Sequence, residues 1–203
     1  MSCLLERRSF LVVPILLVAA CAGWEPETEA ERELRLSRER LQSTVGQGGL
    51  TGAAGGALLG ALVGGAGGAF QGAEIGRLAG AAAGAYVRQL QAEYASQEAV
   101  MVQVAADLRA TNAEMQRSID AMRAVLAQTR AAGEEDVVRR NRNAAEAEEA
   151  VAAATAQQRF YIAAAQVLSD DGASVASSPV APELRRLSER LQTMRSISED
   201  LAG

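Results

Sequence analysis

From Val87 onward the apolar positions fall on a period of seven. Val87, Tyr94, Met101, Leu108, Met115 and Met122 form one row, and Ala105, Asn112, Ile119 and Leu126 form a second, four residues after Met101 and its successors. Two such rows are the a and d positions of a helical seam. The pattern predicts a helix running to about Ala132 and stopping at Gly133. At 1.5 Å per residue it would reach about 65–70 Å. The coiled-coil seam is therefore Met101, Ala105, Leu108, Asn112, Met115, Ile119, Met122 and Leu126. Asn112 falls at an a position, where a buried amide can fix register and oligomer state. The plainer alternative is a surface amide on a loosely packed helix.

A second helix is expected from Glu134 to about Leu168, with Glu134, Glu135 and Asp136 at its positive end. Its core face is small: Val137, Ala144, Ala147, Val151, Ala154, Tyr161, Ala165 and Leu168. Alanine permits close approach, so residues 87–168 read as a long antiparallel hairpin, with an intermolecular bundle as the alternative. Phe160 and Tyr161 would be a core pair of that hairpin. Residues 169–182 (SDDGASVASSPVAP) have linker composition, and Pro182 suits the first position of a last helix over 183–203. That helix places Leu184, Leu187, Leu191, Met194 and Leu201 on one face. Upstream, 27–44 is charge-dense, with Glu and Arg at helical spacings and Leu34 and Leu41 seven apart. It reads as a solvated helix within a 21–44 tether.

Between these lies a different pattern. Gly48, Gly52, Gly56, Gly60, Gly64, Gly68, Gly72, Gly76, Gly80 and Gly84 recur every four residues, and no charge occurs from Val45 to Ala73. Glycine in a helix costs about 1 kcal/mol relative to alanine, so the row needs a reason. Close backbone approach of a second helix supplies one. A period of four turns the stripe about 40° per step on a 3.6-residue helix, so one straight helix cannot present it all. A break at Gly64-Gly65-Ala66-Gly67-Gly68 predicts two arms, about 50–63 and 69–87. Leu58, Leu59, Leu62 and Val63 would face acyl chains or a partner. Glu74 and Arg77 could close as a pair on the second arm.

Residues 1–20 carry Arg7 and Arg8 followed by the short apolar run FLVVPILLV, the layout of an export signal. The sequence Val18-Ala19-Ala20-Cys21 resembles a bacterial lipobox. The resemblance implies cleavage before Cys21, acylation of Cys21 and anchoring in lipid; the alternative is an ordinary signal or anchor with an incidental cysteine. In Gram-negative lipoproteins the next residue affects sorting, and Ala22 rather than Asp implies the outer membrane. Removing one acid and two bases with the signal takes the formal charge from −5 to −6. Trp24 would sit near the headgroups.

Composition then excludes chemistry. There is no His, all 20 basic residues are Arg, and Cys3 and Cys21 are the only cysteines. His bases, Lys nucleophiles, a P-loop and His or Cys metal sites all fall away, so no cofactor and no metal are expected. The acidic balance argues against nucleic acid. Aromatics at 3% cannot wall a substrate cleft, so Glu148/Glu149, Asp170/Asp171 and Glu134/Glu135/Asp136 read as solvated faces or caps. Arg139, Arg140 and Arg142 are the one basic cluster, read as a solvated face over a phosphate or acidic-sugar contact. Neither an enzyme nor a small-molecule substrate is expected.

The 45–87 glycine row, with the lipobox, resembles the glycine-zipper two-helix domains of bacterial envelope lipoproteins such as the rickettsial 17 kDa surface antigen family. That resemblance implies membrane association and helix packing in the envelope. The whole reads as an all-α chain: a glycine-zipper hairpin, a long helical hairpin or coiled coil, and a C-terminal amphipathic helix. The leading functional expectation is an outer-membrane structural lipoprotein, homo-oligomeric through the zipper, presenting periplasmic helices to an envelope protein. A pore-forming oligomer is the first alternative, and an accessory lipoprotein of a secretion or efflux machine the second.

Overall fold

A computed structural model describes residues 26–47, 71–132 and 136–203, with side chains over 26–43, 80–132 and 136–203. Its described residues form five α-helices: α1 Glu29–Gln47, α2 Gln71–Glu93, α3 Gln97–Ala132, α4 Val137–Asp170 and α5 Val180–Ala202, with a 3-10 turn at Val175–Ser177. The all-α class follows as the sequence predicts.

Local chemistry sets the ends. Thr28 and Glu31 form a reciprocal capping pair: the Glu31 amide donates to Thr28 Oγ1 at 3.2 Å and the Thr28 amide to Glu31 Oε2 at 2.8 Å. Ser96 caps α3 by accepting from the Ala99 amide, and Asp136 caps α4 by accepting from the Arg139 amide. At the end of α4 the Ala173 amide returns to the Leu168 carbonyl and the Gly172 amide to Ser169. This closure needs the left-handed backbone that Gly172 supplies at φ 87°.

Three boundaries differ from the sequence reading. The helix expected from 87 to 132 breaks at 94–96, because Ser96 offers a cap that the unbroken heptad register hides. The last helix begins at Val180, so Pro182 lies inside its first turn, where its missing N–H has no intrahelical carbonyl to lose. Val137 is exposed rather than part of the core face, since it opens α4 beyond the reach of the neighbouring helices.

The packing also differs. α3 and α4 run antiparallel but touch each other little. α5 lies against both on one side, and α1 followed by α2 lies against both on the other. The part of α1 up to Leu41 and the part of α2 from Ala82 share one flank. Both run parallel to α4: Glu31 meets Arg139 and Arg142, Arg38 meets Glu146, Leu41 meets Gln157, Tyr86 meets Phe160 and Gln91 meets Asp171. The cross-section is a four-position bundle in which one position is filled by two half-length helices.

The core threads all four positions. Leu34, Leu41, Tyr86, Val87, Leu108, Met115, Met122, Leu168, Leu187, Leu191, Met194 and Leu201 are fully buried or nearly so. Of the heptad seam, Ala105, Leu108, Asn112, Met115, Ile119, Met122 and Leu126 are buried and Met101 is half-buried. The seam is filled by helices of its own chain. Asn112 is part of that fit: its Nδ2 donates to the Glu183 carbonyl at 3.0 Å and to Glu183 Oε2 at 3.1 Å. Arg186 and Arg109 hold the other carboxylate oxygen, and Arg190 donates to the Asn112 carbonyl. The buried amide thus registers α5 on α3 within one molecule.

Candidate functional site

The sequence concentrates function in Cys21 and the glycine row. Cys21, the signal 1–20, Gly48, Gly52, Gly56, Gly60, Gly64 and Gly68 lie outside the described residues, as do Leu58, Leu59, Leu62, Val63 and Gly133. Gly72, Gly76, Gly80 and Gly84 lie in α2, and the side chains of Glu74 and Arg77 are outside the description. What the structure defines is the frame from which the glycine-rich segment leaves and to which it returns.

That frame is narrow. The Leu41 carbonyl of α1 accepts from buried Gln157 Nε2 at 2.7 Å. The Tyr86 ring of α2 lies 5.3 Å from that of Phe160. Gln157 and Phe160 are one turn apart on α4, so Leu41 of α1 and Tyr86 of α2 sit at nearly one level of the bundle.

Each side of the gap is clamped by polar groups. On the departure side, buried Ser118 Oγ donates to Ser37 Oγ at 3.0 Å. On the return side, Tyr86 Oη donates to Asp107 Oδ2 at 2.5 Å, Tyr94 Oη reaches Gln103 and Gln103 reaches Asp107. Phe160 and Tyr161 meet edge-on at 5.2 Å, and Tyr161 Oη lies 3.2 Å from Thr111 Oγ1. Burial pushes the Tyr161 phenol up to about 12, and burial with the Asp107 carboxylate pushes Tyr86 further still. Both rings are neutral hydrogen-bonding struts, and the Phe160–Tyr161 pair packs in the core.

A second cluster closes the start of α1. Buried Glu31 accepts from Arg139 Nε at 2.8 Å and Nη2 at 3.1 Å, and from Arg142 Nη2 at 3.0 Å. Burial alone would raise its pKa. The hydrogen bonds from Arg139, the Thr28 amide, Asn143 and Arg142 overcome that and hold the carboxyl far below the usual range. Two of the three arginines read as a solvated face are thus engaged with a buried acid. Sequence reasoning missed this cluster. The signal was Thr28-x-x-Glu31, which forces the Glu31 carboxylate back over the helix start, where an arginine from another helix can reach it.

Two small clefts of about 130 and 150 Å³ flank Glu31, and a shallow groove of about 470 Å³ separates α1 from α3. The groove is lined by Ala30, Ala121 and Ala124 with Glu29, Glu33, Asp120 and Arg117 at its rim, and offers no aromatic platform. Among the described residues no cluster of acids has metal-binding geometry and no helix is long and apolar enough to cross a membrane.

The described zipper glycines carry a further observation. A Cβ built on Gly80 meets nothing within 4 Å, and one on Gly84 meets only the Arg88 guanidinium of its own helix. Among the described residues no other helix uses their bare backbone. Gly80→Ala is therefore expected to stabilise the isolated chain by about 0.5–1 kcal/mol, read as a raised denaturant midpoint. A lowered midpoint would mean that a neighbour occupies this face.

Residues 5–88 match the YMGG-like Gly-zipper family. The match ends within α2, so α3, α4 and α5 lie beyond it. No curated protein and no solved structure matches the chain.

Proposed function

We propose that this chain is an envelope lipoprotein whose glycine-zipper segment associates with membrane and with like segments, and whose helical bundle is a platform for another envelope component. The observation that carries the reading is the frame just described. The glycine-rich segment lies between two helices of one flank of a folded bundle, and Leu41 before it and Tyr86 after it hold α4 within about one helical turn of each other. The glycine-zipper match supports membrane association or helix-mediated interaction of that insertion. The open face of Gly80 among the described residues supports a further packing partner, the first zipper arm or a second copy. The lipobox residues support acylation at Cys21, and Ala22 supports outer-membrane sorting. The heptad seam is buried inside the bundle. Self-association therefore falls to the zipper rather than to a coiled coil.

The pore reading is weaker. It needs both zipper arms to line a channel, and α2, which carries the second arm, is not apolar enough to cross a bilayer.

Two experiments test the proposal. Cys21→Ser in a Gram-negative host is expected to abolish acylation, read by intact mass, and to leave the signal uncleaved. Separately, residues 1–21 are replaced by a cleavable non-lipoprotein signal and membranes are extracted with alkaline carbonate. Release of folded protein that cross-links to no other copy would refute a membrane or self-association role for the zipper. Retention in the pellet without aggregation is the expected result.

A further inference from the structure

The two ends of the bundle are chemically different. At one pole Thr28 Oγ1 donates to Gln128 Oε1, Glu31 meets Arg139 and Arg130 meets Asp200. The start of α1, the end of α3, the start of α4 and the end of α5 therefore converge there. Four large apolar side chains are strongly exposed among the described residues: Val102, Val137, Val138 and Ile162. Val137 and Val138 are adjacent and stand at this pole, 54% and 80% exposed. Val102 and Ile162 sit singly on the shaft, the kind of scatter that needs no explanation. A valine pair that caps no core and lies next to a helix start is an unpartnered apolar surface.

The chain outside the bundle says what covers it. The described chain begins at Pro26, beside the start of α1. Cys21 precedes Thr28 by seven residues, a reach of at most about 25 Å even when fully extended. α3 alone is 36 residues long. At 1.5 Å per residue that is about 54 Å, so the opposite pole is out of reach of so short a tether.

We propose that the pole where α3 ends and α4 begins rests on the lipid surface, with Val137 and Val138 entering the boundary between headgroups and acyl chains. This rests on the lipoprotein reading, because the anchor at Cys21 selects the pole. The contact is apolar: the nearby Arg139 and Arg130 are already paired with Glu31 and Asp200. The opposite pole, with the 3-10 turn at Val175–Ser177, then faces away from the bilayer and is the end offered to a partner.

The test uses the full-length acylated protein in vesicles of phosphatidylethanolamine and phosphatidylglycerol. Val138→Cys carries an environment-sensitive NBD label, and Ala176→Cys at the far pole carries the same label as control. Both sites are exposed, so neither change threatens the fold. The expected result is a roughly twofold rise in NBD emission at 138, quenched by spin-labelled lipid, with no change at 176. Flotation of acylated protein with no response at 138, or an equal response at 176, overturns the pole assignment and leaves the lipoprotein reading standing. Absence of both acyl mass and flotation overturns the two together. A response at 138 that needs raised protein concentration and no lipid means that a second copy covers the valines, and the proposal is wrong.

Discussion

Leu108→Ala is expected to lower the melting temperature by about 4–20 °C. Leu108 is fully buried where α3 meets its neighbours. Removing its side chain leaves a cavity in a site with little slack, and such truncations cost about 2–5 kcal/mol. For a chain of this size each kcal/mol moves the midpoint by about 2–4 °C. Val102→Ala on the same helix is the control. Val102 is 53% exposed, and its change should stay within about 0.5 kcal/mol. Because the seam is buried within one molecule, the loss caused by Leu108→Ala should be the same at every protein concentration. A loss that changes with concentration would show that the heptads pack between chains.

Glu31→Gln should cost about 1–3 kcal/mol at neutral pH, since it uncharges the acid that holds Arg139 and Arg142 and weakens the α1 cap. The pH dependence gives the sharper result. Glu31 has a folded pKa below its ordinary value of 4.5. The stability it contributes is therefore fully present above that value and is lost as pH falls below it, toward the depressed folded pKa. Urea midpoints of wild type and variant should differ by a constant amount from pH 7 down to about 5 and converge below about 4.5. A gap that persists unchanged into acid would mean that Glu31 acts by packing rather than by charge.

How much of this could be read from residue order depended on contrast. The α3 seam was legible because Met, Leu and Ile stand out at period seven against Gln, Arg and Asp. α4 was poorly legible. Ala144, Ala147, Ala150, Ala153, Ala154 and Ala164 surround the helix, so burial of Ala150, Ala153 and Ala164 leaves no mark in hydropathy. The break at 94–96 was hidden because Val87, Tyr94 and Met101 keep one register across it. The exchange of a simple hairpin for a bundle with α1, α2 and α5 between the long helices was not legible. Alanine on α4 permits either neighbour, and nothing local selects one. For the candidate site, the glycine row was plain from spacing, and the family match covers the same stretch. The tie between Leu41, Gln157, Phe160 and Tyr86 was not, because it joins residues more than seventy positions apart through a carbonyl and a ring face.

The split flank also sets an order of events. Every clamp on α1 comes from far downstream: Ser37 waits for Ser118, Glu31 for Arg139 and Leu41 for Gln157. α1 has few tertiary contacts until α3 and α4 have been made, and such distant pairings form late because their loop must close first. The glycine-rich segment therefore leaves the ribosome and meets its surroundings before the two ends of its frame are drawn together. Closure of the bundle then acts as a latch. It fixes the spacing between the helices on either side of that segment, and a chain stopped short of α4 would leave that spacing unset.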